Sequence, residues 1–272
     1  MNRILAIFTC FNRREKTRKC LEQLIGGNPN IHFKFIAVDD NSTDGTWEML
    51  SKYKEVQVLR GNGSLYYSGG MRLGIAAAKE ICDDFDRVML LNDDVEFYPN
   101  AIEKLIQYSN EKNEIVAGAT CDKRGMLSYG GAIKKSKFRP AYKIVMSEKK
   151  KIYCDTFNAN CVLIPVNVFK VLPNIDEVYT HYAGDYDYGL EAGRLGYVMT
   201  VSDFFVGECE DNPLTGTWRD IKLSRRERIR KKESPKGLPC REWYHFVRKN
   251  YGVPVACISS IIPYIKIMIR RP

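Results

Sequence analysis

The stretch Ile4-Leu5-Ala6-Ile7-Phe8-Thr9-Cys10-Phe11-Asn12-Arg13 is apolar almost without alternation and then turns polar at once. So short a continuous apolar run reads as a strand buried on both faces, the mark of a parallel sheet covered by helices. The next segment, Arg14 to Ile25, sets Cys20, Leu21, Leu24 and Ile25 at helical spacing. The pattern then repeats. Phe33 to Val38 is a second strand, ending in Asp39-Asp40, with a helix expected from about Ser42/Thr43. A third strand at Val56 to Leu59 runs into a loop holding Gly61, Gly63, Gly69 and Gly70, then a helix near Met71 to Ile81. A fourth, Arg87 to Leu91, ends in Asn92-Asp93-Asp94. Strands alternating with helices predict an α/β fold with a mostly parallel sheet and right-handed crossovers. Beyond residue 110 the pattern loosens to short strands near 115–119, 127–133 and 152–164, a helix from Asp185 to Leu195, and a strand at Tyr197 to Val201.

Outward from this core, 272 residues with 44% hydrophobic and 28% charged content exclude a disordered or collagen-like chain. Nine cysteines without a C-x-x-C pair and three scattered histidines argue against a disulfide framework or a structural zinc site. The first apolar run is too short for a signal peptide, so a cytoplasmic protein is expected. The net charge of +9 is unevenly placed: residues 222–272 carry 14 Lys/Arg against 3 Asp/Glu, which leaves the rest of the chain close to neutral. The organisation expected is therefore a domain over 1–221 and a basic helical extension over 222–272. Charge confined to a terminal segment suits an anionic membrane surface and argues against nucleic acid as partner. Arg225 to Lys232 is too charged for a core helix and reads as a solvated surface helix or a contact for anionic lipid headgroups. Val253 to Ile269, interrupted by Pro254, Ser259, Ser260, Pro263 and Lys266, reads as an interfacial helix rather than a span, which implies peripheral association with the inner face of the cell membrane, with docking on the body or on a partner subunit as the alternative.

Ligands of an open parallel sheet bind beyond the carboxyl ends of its strands. Three such ends here are polar: Thr9 to Arg13, Asp39 to Ser42, and Asn92 to Asp94. Turn and capping chemistry explains any one of them alone. Together they suggest a site, and adjacent Asp93 and Asp94 call for a cation or a donor-rich ligand, which points to Mg²⁺ or Mn²⁺ shared with a diphosphate. Arg13 could add positive charge, Phe11 a stacking face, and Asp40 an acceptor for a base imide or ribose. Neither G-x-x-x-x-G-K-[ST] nor G-x-G-x-x-G is present.

Four motifs in this order, Thr9-x-Phe11-Asn12-Arg13, Val38-Asp39-Asp40-Asn41-Ser42-Thr43-Asp44-Gly45-Thr46, Asn92-Asp93-Asp94 and His181-Tyr182-Ala183-Gly184-Asp185-Tyr186-Asp187-Tyr188-Gly189-Leu190, resemble the inverting family 2 glycosyltransferases of the Rossmann-like GT-A fold. The resemblance covers about residues 3–210, and the loop from Gly63 to Gly70 looks like the bacterial polysaccharide, rhamnosyltransferase-like branch. It implies that Thr9, Phe11, Arg13, Asp40, Arg72 and Asp93 bind the nucleotide or donor, that Asp94 ligates the metal, and that Asp185 is the catalytic base. Phe11, Tyr66, Tyr67 and Arg72 depart from residues common in that family. For the acceptor and donor sugar the residues to consider are Tyr66 and Tyr67, which stack or simply pack; Asn158 and Asn160, which bind hydroxyls or make turns; His181, which orients a ligand or holds structure; and Asp187, which positions the acceptor or caps a helix. The implied reaction moves a sugar from a UDP- or dTDP-linked donor to a bacterial surface polysaccharide or lipid-linked oligosaccharide. A sugar-nucleotide pyrophosphorylase and a non-catalytic nucleotide-binding or membrane scaffold are the alternatives.

Overall fold

The computed structural model describes residues 2–109, 112–147, 149–211 and 213–269. Its elements run, in chain order, β1 (Asn2–Cys10), α1 (Arg14–Gly27), β2 (Ile31–Asp39), α2 (Thr46–Leu50), β3 (Val56–Arg60), α3 (Tyr66–Ile81), β4 (Arg87–Leu91), β5 (Glu96–Phe97), α4 (Ala101–Tyr108), β6 (Ile115–Cys121), β7 (Leu127–Tyr129), β8 (Gly131–Lys134), β9 (Tyr142–Ile144), β10 (Ile152–Tyr153), β11 (Thr156–Phe157), β12 (Cys161–Pro165), α5 (Val166–Val171), α6 (Gly184–Arg194), β13 (Met199–Glu208), α7 (Arg225–Lys232), α8 (Cys240–Tyr251) and α9 (Val253–Ile269). The main sheet has the order β10-β13-β6-β12-β4-β1-β2-β3, and β11, β8 and β9 form a small antiparallel sheet.

The expected parallel core is present: β1 pairs in parallel with both β2 and β4, β2 with β3, and β6 with β13. β12 runs against both its neighbours, β4 and β6. The chain goes outward from β1 to β3 and returns on the other side at β4, so the order reverses at β1/β4, where such sheets open a crevice. Both faces of β1 are covered, which accounts for its unbroken apolar run. Ile4, Ala6 and Phe8 enter one core with Leu21, Leu24, Ile102 and Leu105; Leu5 and Ile7 enter the other with Met71, Ile75 and Phe169.

Several boundaries move from their sequence positions for local reasons. The helix expected from Ser42/Thr43 begins at Thr46, because Asp44 instead accepts the backbone N–H of Arg14 and Thr46 and caps two helices. The helix near Met71 starts at Tyr66, and the last strand extends to Glu208 through irregular pairing with β6. Helix α3 lies directly on the end of β1, and a Cβ on Gly70 would come within 2.7 Å of Thr9 Cβ. Gly70→Ala is therefore expected to cost about 2 kcal/mol through overpacking and to lower Tm by roughly 5 °C in thermal denaturation.

The basic extension folds back onto the body. Phe246 and Val247 of α8 and Ala256 of α9 belong to the same core as Leu5 and Ile7. Helix α7, too charged by its sequence for a core helix, nonetheless buries two of its cations: Arg228 Nε donates to Trp218 O at 3.1 Å, and Lys232 Nζ to Leu238 O at 2.8 Å beneath the Tyr264 ring. Carbonyls, an aromatic face and, for Lys232, the Glu233 carboxylate replace water around these charges, and the aliphatic stems pack. The last residues of the extension, 270–272, lie outside the described residues.

Candidate active site

At the outgoing ends of β1 and β2 the backbone is locked by side chains. Asn12 N–H donates to Ser42 Oγ at 2.9 Å, Thr43 N–H to Asn12 Oδ1 at 2.8 Å, and Ser42 N–H to Asp39 Oδ1 at 3.0 Å. Asp40 is buried, and both its oxygens accept from the glycine-rich loop, Oδ1 from Gly63 N–H at 2.8 Å and Oδ2 from Tyr66 N–H at 3.1 Å. Asp40 thus shapes the loop first. Oδ2 of Asp39 at this strand end is buried, accepts no hydrogen bond from the described residues and lies 3.7 Å from Arg60 Nη1. Thr9 donates to Val38 O at 3.1 Å, and Phe11 presents an exposed ring. Asn12, Asn41, Tyr66 and Ala183 all adopt positive φ; Asn tolerates this readily, whereas Tyr66 and Ala183 each carry a cost of about 1 kcal/mol that the surrounding contacts must sustain.

Beyond β4, Arg13 clamps the two carboxylates, Nη1 lying 3.1 Å from Asp93 Oδ1 and 2.9 Å from Asp94 Oδ2. Asp93 is buried, and its other oxygen accepts from Thr17 Oγ1 at 2.7 Å, so it anchors the cluster. Burial pushes its carboxyl up to about 6 against the pull of Arg13 and Thr17. Asp94 is the accessible member, and among the described residues its Oδ1 has only the Cys209 thiol, at 3.8 Å. Among the described residues no group of three or more His, Cys, Asp or Glu forms a metal cage. One accessible carboxylate beside a guanidinium does fit a hard divalent ion that takes most of its ligands from phosphate and water.

Across the crevice, Asp185 is half-buried in the first turn of α6; its Oδ1 accepts Tyr186 N–H at 2.8 Å and its Oδ2 Ala159 N–H at 3.3 Å. Desolvation pushes its carboxyl up to about 6, and these N–H donors and the Asn158 side chain hold it from rising further. His181 Nδ1 accepts Tyr67 N–H at 3.4 Å, which leaves the ring proton on Nε2. Burial, with Lys236 and Arg13 nearby, lowers His181 to about 4, so it is a neutral donor at physiological pH. Tyr66 and Tyr67 meet its ring edge-on, and the Tyr67 phenol is raised well above its ordinary range by burial and by Asp185.

Contacts join these groups along one end of the sheet. From Asp39 they run through Ser42 and Asn12 to Arg13 and Asp94, and on through Cys209 and Asn160 to the backbone at Ala159 that holds Asp185; on the other side Asp40 holds Tyr66, and the neighbouring Tyr67 meets His181. Two sequence-stretch candidates face elsewhere. Arg72 Nη1 donates to Asp176 O at 3.0 Å and Tyr179 O at 3.3 Å, tying down the preceding loop. Asp187, two residues from Asp185 and so on the opposite side of the helix, is buried against α8 with Lys249 Nζ at 2.7 Å and Asn250 Nδ2 at 3.2 Å. Thr17 and Cys209, which hold Asp93 and Asp94, carried no signal in the sequence; Asp39 stood in a polar strand end but was given no role of its own.

The solved mannosyltransferase PcManGT from Pyrobaculum calidifontis, in complex with GDP-Man and Mn²⁺, resembles this chain in fold, with a TM-score of 0.55 and 11% identity over 95% of this chain and 69% of its own. The curled, mostly parallel sheet flanked by helices, with carboxylates gathered along its outgoing edge, is that of a GT-A glycosyltransferase fold. The chain belongs to glycosyl transferase family 2, whose profile matches residues 6–163. That span includes Asp39, Asp40, Asp93 and Asp94 and ends before Asp185. Among curated proteins the sequence has no significant match.

Proposed function

We propose that this glycosyltransferase moves a sugar from a nucleoside-diphosphate donor, UDP- or dTDP-linked, to a bacterial surface polysaccharide or lipid-linked oligosaccharide, with inversion at the anomeric carbon and with help from Mn²⁺ or Mg²⁺. The observation that carries this reading is the run of contacts from Asp94 through Cys209 and Asn160 to the backbone that holds Asp185, which brings the two carboxylates to one end of the sheet. The nucleotide and metal held by PcManGT, a protein of the same fold, support a donor of this class. The loop from Gly63 to Gly70 supports a rhamnosyltransferase-like specificity.

In this mechanism Asp185 accepts the proton of the acceptor hydroxyl while that oxygen bonds to the anomeric carbon and the sugar–phosphate bond breaks. Asp94 and the donor's own phosphate oxygens would hold a divalent ion, which supplies positive charge against the departing diphosphate. Arg13 adds a second charge on the same side, and Phe11 offers its ring to the base. Neutral His181 donates from Nε2 to an acceptor or phosphate oxygen. The reading is tested by thermal stabilisation with a panel of nucleoside diphosphates, with and without Mn²⁺. Stabilisation by one of them that grows with Mn²⁺ supports it, and the absence of any such response overturns it.

The pH dependence follows from the base. Asp185 acts only when ionised, and with its carboxyl near 6 the kcat/KM is expected to rise through about pH 6 and level off above it. A profile flat from pH 5 to 7, measured at saturating metal, assigns proton abstraction to another group.

A further inference from the structure

Helix α9 turns an uncovered apolar face outward. Ala256, Ser259, Ser260, Pro263 and Ile267 recur at helical spacing and are buried, and Trp243 Nε1 of α8 donates to Ser259 O at 3.1 Å on that side. On the opposite side Ile258, Ile261, Ile262, Ile265, Met268 and Ile269 form a continuous stripe, each between 39% and 72% exposed. Scattered exposed aliphatics are ordinary, but six on one helix face mark an interaction surface. At 17 residues α9 is about 25 Å long, and among the described residues no helix is long and apolar enough to cross a membrane.

Charge borders the stripe on both sides. Helix α7 is pinned beside it, because Arg228 Nη1 donates to Ile267 O at 3.3 Å and the Lys232 ammonium sits 4.1 Å from the centre of the Tyr264 ring. Its outward residues Arg225, Arg226 and Arg230 are exposed and, among the described residues, form no ion pair; Lys266 is exposed on the far border. We infer that α9 lies in the surface of an anionic phospholipid bilayer, its stripe entering the acyl boundary and the arginines of α7 meeting the headgroups. A second copy of the chain on the same face would bring two rows of unpaired arginines together, so the bordering charge favours an anionic surface over self-association. This inference stands apart from the transfer reaction, because binding is read without substrate.

The test is sedimentation of the full chain with phosphatidylcholine vesicles, with and without phosphatidylglycerol. Wild type is expected to bind the anionic vesicles and to lose affinity as salt rises. Ile261→Glu/Ile265→Glu, at exposed positions, is expected to weaken binding by more than about tenfold, and Arg226→Glu/Arg230→Glu to remove the preference for phosphatidylglycerol. Far-UV circular dichroism and nucleotide-induced stabilisation confirm that each variant is folded. Absence of wild-type binding, unchanged binding by the Ile variant, or a dimer that the Ile variant dissociates overturns the proposal.

Discussion

Asp185→Asn is expected to lower kcat by about 10³-fold while leaving nucleoside-diphosphate affinity within a factor of about three. The substitution keeps the shape of the side chain, and the backbone donor at Tyr186 keeps its acceptor. What disappears is the ionised oxygen that takes the proton. Stability separates this from a folding defect. A carboxyl whose pKa is higher folded than unfolded is favoured by folding in its protonated form, so at pH 7 its charge works against the fold. Removing that charge offsets the loss of the acceptor for Ala159 N–H, so Tm at pH 7 is expected to change by no more than about 3 °C. A variant with low kcat and intact Tm marks Asp185 as the base. Near-normal transfer by the same variant sinks the assignment, and single-turnover rates with labelled donor decide between the two.

Asp94→Ala is expected to abolish the Mn²⁺-dependent part of nucleotide binding and to cost about 4 kcal/mol in transition-state stabilisation, on the order of 10³-fold in kcat/KM. Asp94 is the more accessible carboxylate of the pair, and Arg13 retains Asp93 as a partner, so the fold is expected to survive. Arg13 already offsets the charge of both aspartates. In wild type, Mn²⁺ alone is therefore expected to bind weakly and to bind tightly only beside a diphosphate. Calorimetric titration of Mn²⁺ with and without nucleotide measures this directly. A metal-dependent thermal shift that persists in Asp94→Ala places the ion on other ligands.

The parallel half of the sheet was legible because its strands are short apolar runs that break off into polar clusters, and burial on both faces leaves that signature whatever the tertiary detail. Asp93, Asp94 and Asp185 were visible for the same reason, sitting at element ends. The family resemblance set Asp185 apart as the base, but the burial of Asp187 against α8 was not readable, because the residues that claim it, Lys249 and Asn250, arrive more than sixty positions later. Cys209 was hidden because it follows a strand whose pairing with β6 is irregular, which blurs the alternation by which its position would be read. The burial of Arg228 and Lys232 was equally invisible: the carbonyls and ring that receive them belong to Trp218, Leu238 and Tyr264, and composition records charge without its partners.

The reversal of β12 has a consequence for how such proteins diversify. Because this strand runs back from the edge where β4 ends, with Cys161 opposite Leu91, residues 158–160 arrive beside Asn92 and stand at the seam between the two sides of the crevice. Chain before that seam supplies the groups assigned to the nucleotide and its diphosphate; chain after it supplies α6 and Asp185. Under the proposed function, exchange of residues 166–211 for those of a relative is expected to change the acceptor before it changes the nucleotide of the donor.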